Sequence, residues 1–289
     1  MGPMLQISPY DSIDHAGLPK GDETNFWRVK RHGELDCFTA TFRKHVFPPH
    51  THETYVIGTI VEGIHSYEHR GRMIRSGPGT VCFINPDEVH DGSPDAHGYS
   101  YRMTYPSEAF LASIISEAAG RPSGPPRFRV PNQMDVELSE RFIRLHQSLE
   151  GRGDALLGDE RLIDFFLTAI ARYAGLPALE TAGNEPSSVR QVKEILSELV
   201  EDPPELATLS RMVGLSPFHL IRVFRKATGL TPHAWLVDHR INRARDLLRE
   251  GVAPSDVAVR CGFADQAHLT RLFKARLGIP PGQYRQALN

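Results

Sequence analysis

Two groups of residues in this chain have types and spacings that can do chemistry. The first is rich in histidine: His50-Thr51-His52 follows Phe47-Pro48-Pro49, and His90 returns about 40 residues later. A His-x-His pair on a strand or its edge, joined by a third His, can converge on a metal ion as an open three-imidazole site. Neutral imidazoles can equally hydrogen-bond a small molecule or tie down strand ends, so metal binding, ligand contact and structural anchoring are all open to these three. The second group is Arg222, Gln266 and Arg271. Arg meets guanine O6 and N7 through two hydrogen bonds, and Gln does the same for adenine N6 and N7. Near them Phe218 and Thr270 can touch a thymine methyl. Arg225, Lys226 and Lys274 suit phosphate, which positions a protein on DNA but carries no sequence information.

The second group lies on a repeat. GLSPFHLIRVFRKATGLTP (Gly214–Pro232) is echoed by GFADQAHLTRLFKARLGIPP (Gly262–Pro281), offset by 48 positions at the glycine and by 49 after a one-residue insertion. Each copy reads as a short helix, a glycine turn and a second helix: Leu206–Val213 then Pro217–Thr228, and Ser255–Cys261 then a helix after Asp265. Ser216 and Asp265 suit the N-cap, Pro217 the first turn, and Gly229 and Gly278 the helix ends. Leu220, Val223, Phe224 and Ala227 in one copy, and Leu269, Leu272 and Phe273 in the other, form the expected buried stripes. That directs His219, Arg222, Arg225 and Lys226, and likewise Gln266, Thr270, Arg271 and Lys274, outward or sideways. His233–Glu250 is the expected connecting helix and Val189–Val200 a supporting one.

Charge follows the same division. The 289 residues carry a net charge of -2, but residues 189–289 hold 15 Lys and Arg against 10 Asp and Glu, leaving the acidic excess to the remainder. A basic end on an acidic body suits a protein that brings one end to phosphate. No run approaches the roughly 18 apolar residues of a membrane span, and no signal pattern opens the chain. Cys37, Cys82 and Cys261 are few and far apart, which predicts small buried hydrophobes in a reducing cytoplasm rather than a disulfide framework.

The histidines belong to a region with strand grammar. Leu35–Phe42, Thr54–Ile60, Thr80–Ile84 and Tyr99–Thr104 are rich in β-branched and aromatic residues and are separated by turn signals, which predicts a β-sandwich or barrel. Tyr55, His65, Tyr67, Tyr101 and Arg102 are expected to line its interior with the histidines, and an interior Arg favours an anionic ligand. Helices follow at Ser107–Ala119, Asp135–Glu150 and Arg161–Tyr173. In the second of these, Leu138, Phe142, Leu145 and Leu149 make one apolar stripe, which serves either as a cap on the β-domain or as a dimer seam. The expected division is a β-barrel over 1–105, a helical cap or dimerisation region over 106–178, a linker over 179–187 and an all-α region over 188–289. The fold class is α+β.

From about Val189 the chain resembles the DNA-binding domain of the AraC/XylS family of transcription regulators. LSRMVGLSPFHLIRVFRKATGLTPHAWLVDHRINRARDLL and VAVRCGFADQAHLTRLFKARLGIPPGQYR carry the likeness. The resemblance implies two helix-turn-helix subdomains joined by one helix, with recognition helices in successive major-groove segments. Its base-contacting positions fall on Phe218, Ile221, Arg222, Gln266, Ala267, Thr270 and Arg271. Around His50 and His90 the chain also resembles a cupin barrel, which the same family uses as an effector-sensing domain. Val56 stands where the metal-binding cupin pattern has a glutamate, Gly63 keeps its place, and Asp87 and Pro94 replace a glycine and an asparagine.

Three readings follow. The chain is a ligand-responsive regulator, homodimeric and non-enzymatic, with double-stranded DNA and a small-molecule effector as partners, acting by activation or by repression. Alternatively it is a cupin-type metal-dependent enzyme fused to a DNA-binding domain. In the third reading it is a constitutive DNA-binding protein whose barrel serves dimerisation. The first accounts for most residues.

Overall fold

The computed structural model describes residues 19–33, 35–150, 154–175 and 186–286. Most of the expected linker lies outside them. The described residues form two compact units: 19–154 with 161–175, and 155–160 with 186–286.

The first unit is built on eight antiparallel strands: β1 (Glu23–Val29), β2 (Leu35–Phe42), β3 (Phe47–His50), β4 (Val56–His69), β5 (Arg72–Ser76), β6 (Thr80–Ile84), β7 (His90–Tyr105) and β8 (Asn132–Met134). The strand order is β1-β2-β7-β4-β6-β8, with β3 also on β7 and β5 also on β4. The two long strands therefore serve two layers. The first half of β4 pairs with β6 and the end of β7, while its second half pairs with β5 and the start of β7. The switch falls at register shifts beside Gly63. Gly63 has φ 72°, and a Cβ there would strike the backbone of Gly98 and Tyr99 on the facing strand, so no other residue fits the bend.

Pleating gives each face its own core. Leu35 and Cys37, Ile57, and Val81 and Phe83 point to the helices α1 (Glu108–Ala119), α2 (Val136–Leu149) and α3 (Ala155–Tyr173), of which residues 161–173 belong to this unit. Phe38, Ala40 and Phe42, Ile84, and Tyr99, Tyr101, Met103 and Tyr105 point the other way, between the layers. Ser107 and Asp135 cap α1 and α2 by accepting from Phe110 N and Leu138 N. The α2 stripe of Leu138, Phe142, Leu145 and Leu149 packs into this core, at 4% exposure or less. The stripe thus serves the capping role on the sheet.

Some expectations are corrected. β4 and β7 run well past the expected Thr54–Ile60 and Tyr99–Thr104, because Gly63 and Gly98 bend a continuing strand instead of ending it. The region expected to be helical contains β8, which pairs with β6.

In the second unit α4 (Pro186–Glu198) precedes two helix pairs, α5 (Leu206–Met212) with α6 (Pro217–Thr228) and α8 (Pro254–Arg260) with α9 (Gln266–Leu277). The helix α7 (Pro232–Arg249) joins them and α10 (Pro281–Gln286) follows. The punctuation is as read: Ser216 accepts from His219 N, Asp265 from His268 N, and Gly229 and Gly278 end their helices at φ 77° and 80°. Leu220, Val223, Phe224, Leu269 and Phe273 are buried and Leu272 is half-buried, whereas Ala227 is exposed, the buried stripe having ended a turn earlier. At the second turn Gly262 sits against the Val200 carbonyl, which also accepts from Nε and Nη2 of buried Arg240 at 2.9 and 2.7 Å.

Candidate ligand cavity and nucleic-acid interface

Between the two layers of the sheet lies a cavity of about 50 Å³. His50, His52 and His90 line it with Phe38, Met103 and the tyrosines 67, 99, 101 and 105. β3 and the start of β7 bring the histidines together, since His50 is the register partner of His90. Ring centroids lie 4.8 Å apart for His50 and His52, 4.4 Å for His50 and His90, and 5.3 Å for His52 and His90. His50 Nδ1 donates to the Pro48 carbonyl at 2.8 Å and His90 Nδ1 to the Glu88 carbonyl at 3.0 Å. Burial holds both below the ordinary imidazole pKa, His90 well below, with His50 adding to the effect on His90.

Another part of the lining is an aromatic stack. His65 lies flat on Tyr99 at 4.4 Å and on Tyr67 at 5.1 Å, and Tyr99 stacks on Tyr101 at 5.5 Å. Burial presses His65 down to about 4, so the ring is neutral at pH 7. Its Nδ1 and the Tyr99 hydroxyl are buried and have no hydrogen-bond partner in the protein. Such orphaned polar atoms cost free energy unless water or a ligand meets them.

Of the expected lining residues, His50, His52, His65, Tyr67, His90 and Tyr101 are brought together, and Tyr55 and Arg102 are not. Tyr55 packs on Phe128 in the helix-facing core and donates its hydroxyl to the Pro126 carbonyl at 2.5 Å. Arg102 alternates with Tyr101 and Met103, so it faces α2, where Nη1 meets Glu150 Oε1 at 2.9 Å and His146 Nδ1 at 3.1 Å. With Arg102 outside, Asp91 is the one formally charged side chain in the lining, and the anionic-ligand expectation loses its basis. Met103, Tyr99 and Tyr105 were missed, although a period of two from Tyr101 puts all three on its face.

On the second unit the expected base readers occupy one face of each second helix. Gln266, Ala267, Arg271 and Lys274 on α9 are exposed, as are Arg225 and Lys226 on α6, while His219, Ile221, Arg222 and Thr270 are half-buried. Phe218 is 6% exposed and lies beneath Arg222, whose guanidinium carbon is 5.1 Å from the ring centre. That corrects Phe218 from a thymine contact to a support for Arg222. Thr270 donates its hydroxyl to the Gln266 carbonyl at 2.8 Å, which turns its polar atom back to its own helix.

Comparison with known proteins matches both domains. Residues 32–166 match the family model of the AraC-like ligand binding domain, and residues 209–287 match that of a helix-turn-helix domain. The uncharacterized HTH-type transcriptional regulator YbfI of Bacillus subtilis (strain 168) is 29% identical over 250 residues, 86% of this chain and 90% of that protein. The HTH-type transcriptional activator RhaS of Escherichia coli (strain SE11) is 27% identical over 247 residues, 83% of this chain and 88% of that one. Among solved structures, the DNA-binding domain of AdpA in complex with a target DNA is 31% identical, covering 35% of this chain and 91% of that one, with a TM-score of 0.33. No helix among the described residues is long and apolar enough to cross a membrane. The chain belongs to the AraC family of helix-turn-helix transcription regulators, with a ligand-binding domain ahead of its DNA-binding domain.

Proposed function

We propose that this regulator senses a small molecule in the cavity between the two sheet layers, and that the occupant changes how α6 and α9 engage two successive major-groove segments. The observation that carries the sensing half is the pair of buried, unpartnered atoms, His65 Nδ1 and the Tyr99 hydroxyl, on the lining of an aromatic cavity. A lining of tyrosines, neutral histidine and one carboxylate selects a small, largely apolar ligand that carries hydrogen-bonding groups for His65 Nδ1 and the Tyr99 hydroxyl. For control, the ligand must favour one DNA-binding arrangement over the other.

On DNA, Arg222, Gln266 and Arg271 read base edges, while Arg225, Lys226 and Lys274 meet phosphates. The two faces share an arginine, Arg222 and Arg271, but differ around it: Pro217, Phe218 and Ile221 in one stand where Gln266, Ala267 and Thr270 stand in the other. One chain thus reads two different half-sequences. The protein acts as a homodimer, and relatives that are regulators favour this role over an enzyme's.

The test pairs thermal-shift screening against small metabolites with fluorescence anisotropy on DNA from the regulated region. A compound that raises the melting temperature and changes operator affinity supports the reading. Binding of operator that no compound alters would leave a constitutive DNA-binding protein instead.

A further inference from the structure

The histidine end of the cavity has chemistry that an apolar effector does not use. A carbonyl oxygen can only accept, so the contacts to Pro48 and Glu88 put the protons of His50 and His90 on Nδ1 and their lone pairs on Nε2. Backbone carbonyls holding Nδ1–H in this way are how metal-ligating imidazoles are commonly oriented. One ring nitrogen from each of His50, His52 and His90 lies within 4.8 Å of the other two, and all three residues are buried, at 5–7% exposure. No other group of this kind occurs among the described residues. Three imidazole nitrogens gathered this closely in a buried place suit a shared positive centre.

The surroundings narrow the choice. No lysine or arginine is in the lining to supply the positive charge, and the carboxylate of Asp91 accepts from Glu68 N at 2.5 Å. Asp91 is the one carboxylate in the lining, so the clustered donors are three imidazoles. An all-imidazole donor set suits zinc, copper, nickel, cobalt and iron, and is a poor match for magnesium or calcium, which take oxygen ligands. The adjoining cavity has room for a few water-sized groups.

We infer that His50, His52 and His90 form a binding site for a first-row divalent transition-metal ion, held by three imidazole nitrogens and open to small ligands from the cavity. The inference deepens the sensing role and rests on it only in making this cavity the effector's; metal uptake stands on the histidines alone.

The experiment uses the full chain without an affinity tag, stripped by chelator. Calorimetric titration with zinc and cobalt chloride is expected to show one ion per chain, with magnesium chloride giving no comparable uptake. His52→Gln and His90→Gln are expected to weaken binding about tenfold or more while circular dichroism stays unchanged. Should either variant fail to fold, the electron paramagnetic resonance spectrum of the unaltered chain with one equivalent of copper(II) counts the imidazole nitrogens directly. Three are expected, with a spectrum that sodium azide shifts. Absence of stoichiometric uptake, fewer than three imidazole nitrogens, equal affinity for magnesium, or full affinity in the folded variants each overturns the site. A spectrum indifferent to azide overturns its openness. DNA plays no part in these readouts, so the metal site and the sensing role can fail separately.

Discussion

Gly262→Ala separates two effects that glycine usually confounds. Gly262 and Gly214 occupy the same place in the two helix pairs and have nearly the same backbone, φ 72° and 71°. A Cβ at Gly214 meets nothing within 4 Å, whereas one at Gly262 runs into the Val200 carbonyl, comes within 2.8 Å of Glu201 Cα, and within 2.8 Å of Arg240 Nη2. The left-handed conformation costs an alanine about 1–2 kcal/mol at either site. Reduced freedom of the unfolded chain returns about 0.4–1 kcal/mol of that. Gly214→Ala should therefore lose about 1 kcal/mol. At Gly262 the methyl must also displace the carbonyl that anchors buried Arg240, and one charge-assisted hydrogen bond is worth about 1.5–3 kcal/mol. The expected loss is about 2.5–4 kcal/mol. Urea unfolding followed by tryptophan fluorescence reads both variants, because Trp235 reports on the second unit. A Gly262→Ala loss equal to that of Gly214→Ala would refute the close-approach argument and leave backbone strain alone.

The remaining predictions concern the two sites and the sheet. Arg271→Ala should weaken operator binding by about 1–3 kcal/mol and relax one base position, while Lys274→Ala should weaken all sequences alike and lower the salt slope by about one; anisotropy titrations at several salt concentrations distinguish them. Tyr99→Phe removes an orphaned hydroxyl, so the melting temperature should hold or rise while the effector-induced shift shrinks; a marked loss of stability would show the hydroxyl to be structurally engaged. His146 is buried, with its pKa pressed down to about 3, first by burial and further by Arg102. Protonation therefore favours the unfolded chain: stability from this group is complete above pH 6.5 and falls below it by up to about 1.4 kcal/mol per pH unit. Acid unfolding monitored between pH 7 and 4 should be shallower in His146→Gln, and an unchanged slope would remove His146 from the titration.

The second unit was legible almost residue by residue because its signals are local. Pro217–Thr228 was read to its ends, since Ser216, Pro217 and Gly229 act within one turn of themselves. The sheet was harder. Gly63 and Gly98 look like turn residues, and only pairing across two layers shows that they bend strands which continue. β1, β3 and β5 were not foreseen, β3 being Phe-Pro-Pro-His, a sequence whose extended state depends on its partner β7. The three histidines were found by spacing, whereas Arg102 and Tyr55 were misplaced because facing depends on register. Phe218 was misjudged for a related reason: the positions of α6 at the margin between groove and core cannot be told apart by periodicity alone.

The alternation along β7 makes the strand a partition between two rooms. Tyr101 and Met103 face the cavity, while Arg102 between them holds Glu150 and His146, and the carbonyl of Met103 accepts from His146 Nε2 at 2.9 Å. A guest that moves this strand by a fraction of an ångström must lengthen bonds to the end of α2 or drag the helix along. Nothing compressible lies between, for His146 and Phe142 are fully buried there. On the proposed sensing role, occupancy of the cavity would be read at α2 without any atom of the guest reaching it, and truncating Arg102 and His146 is expected to leave the guest bound but unheard.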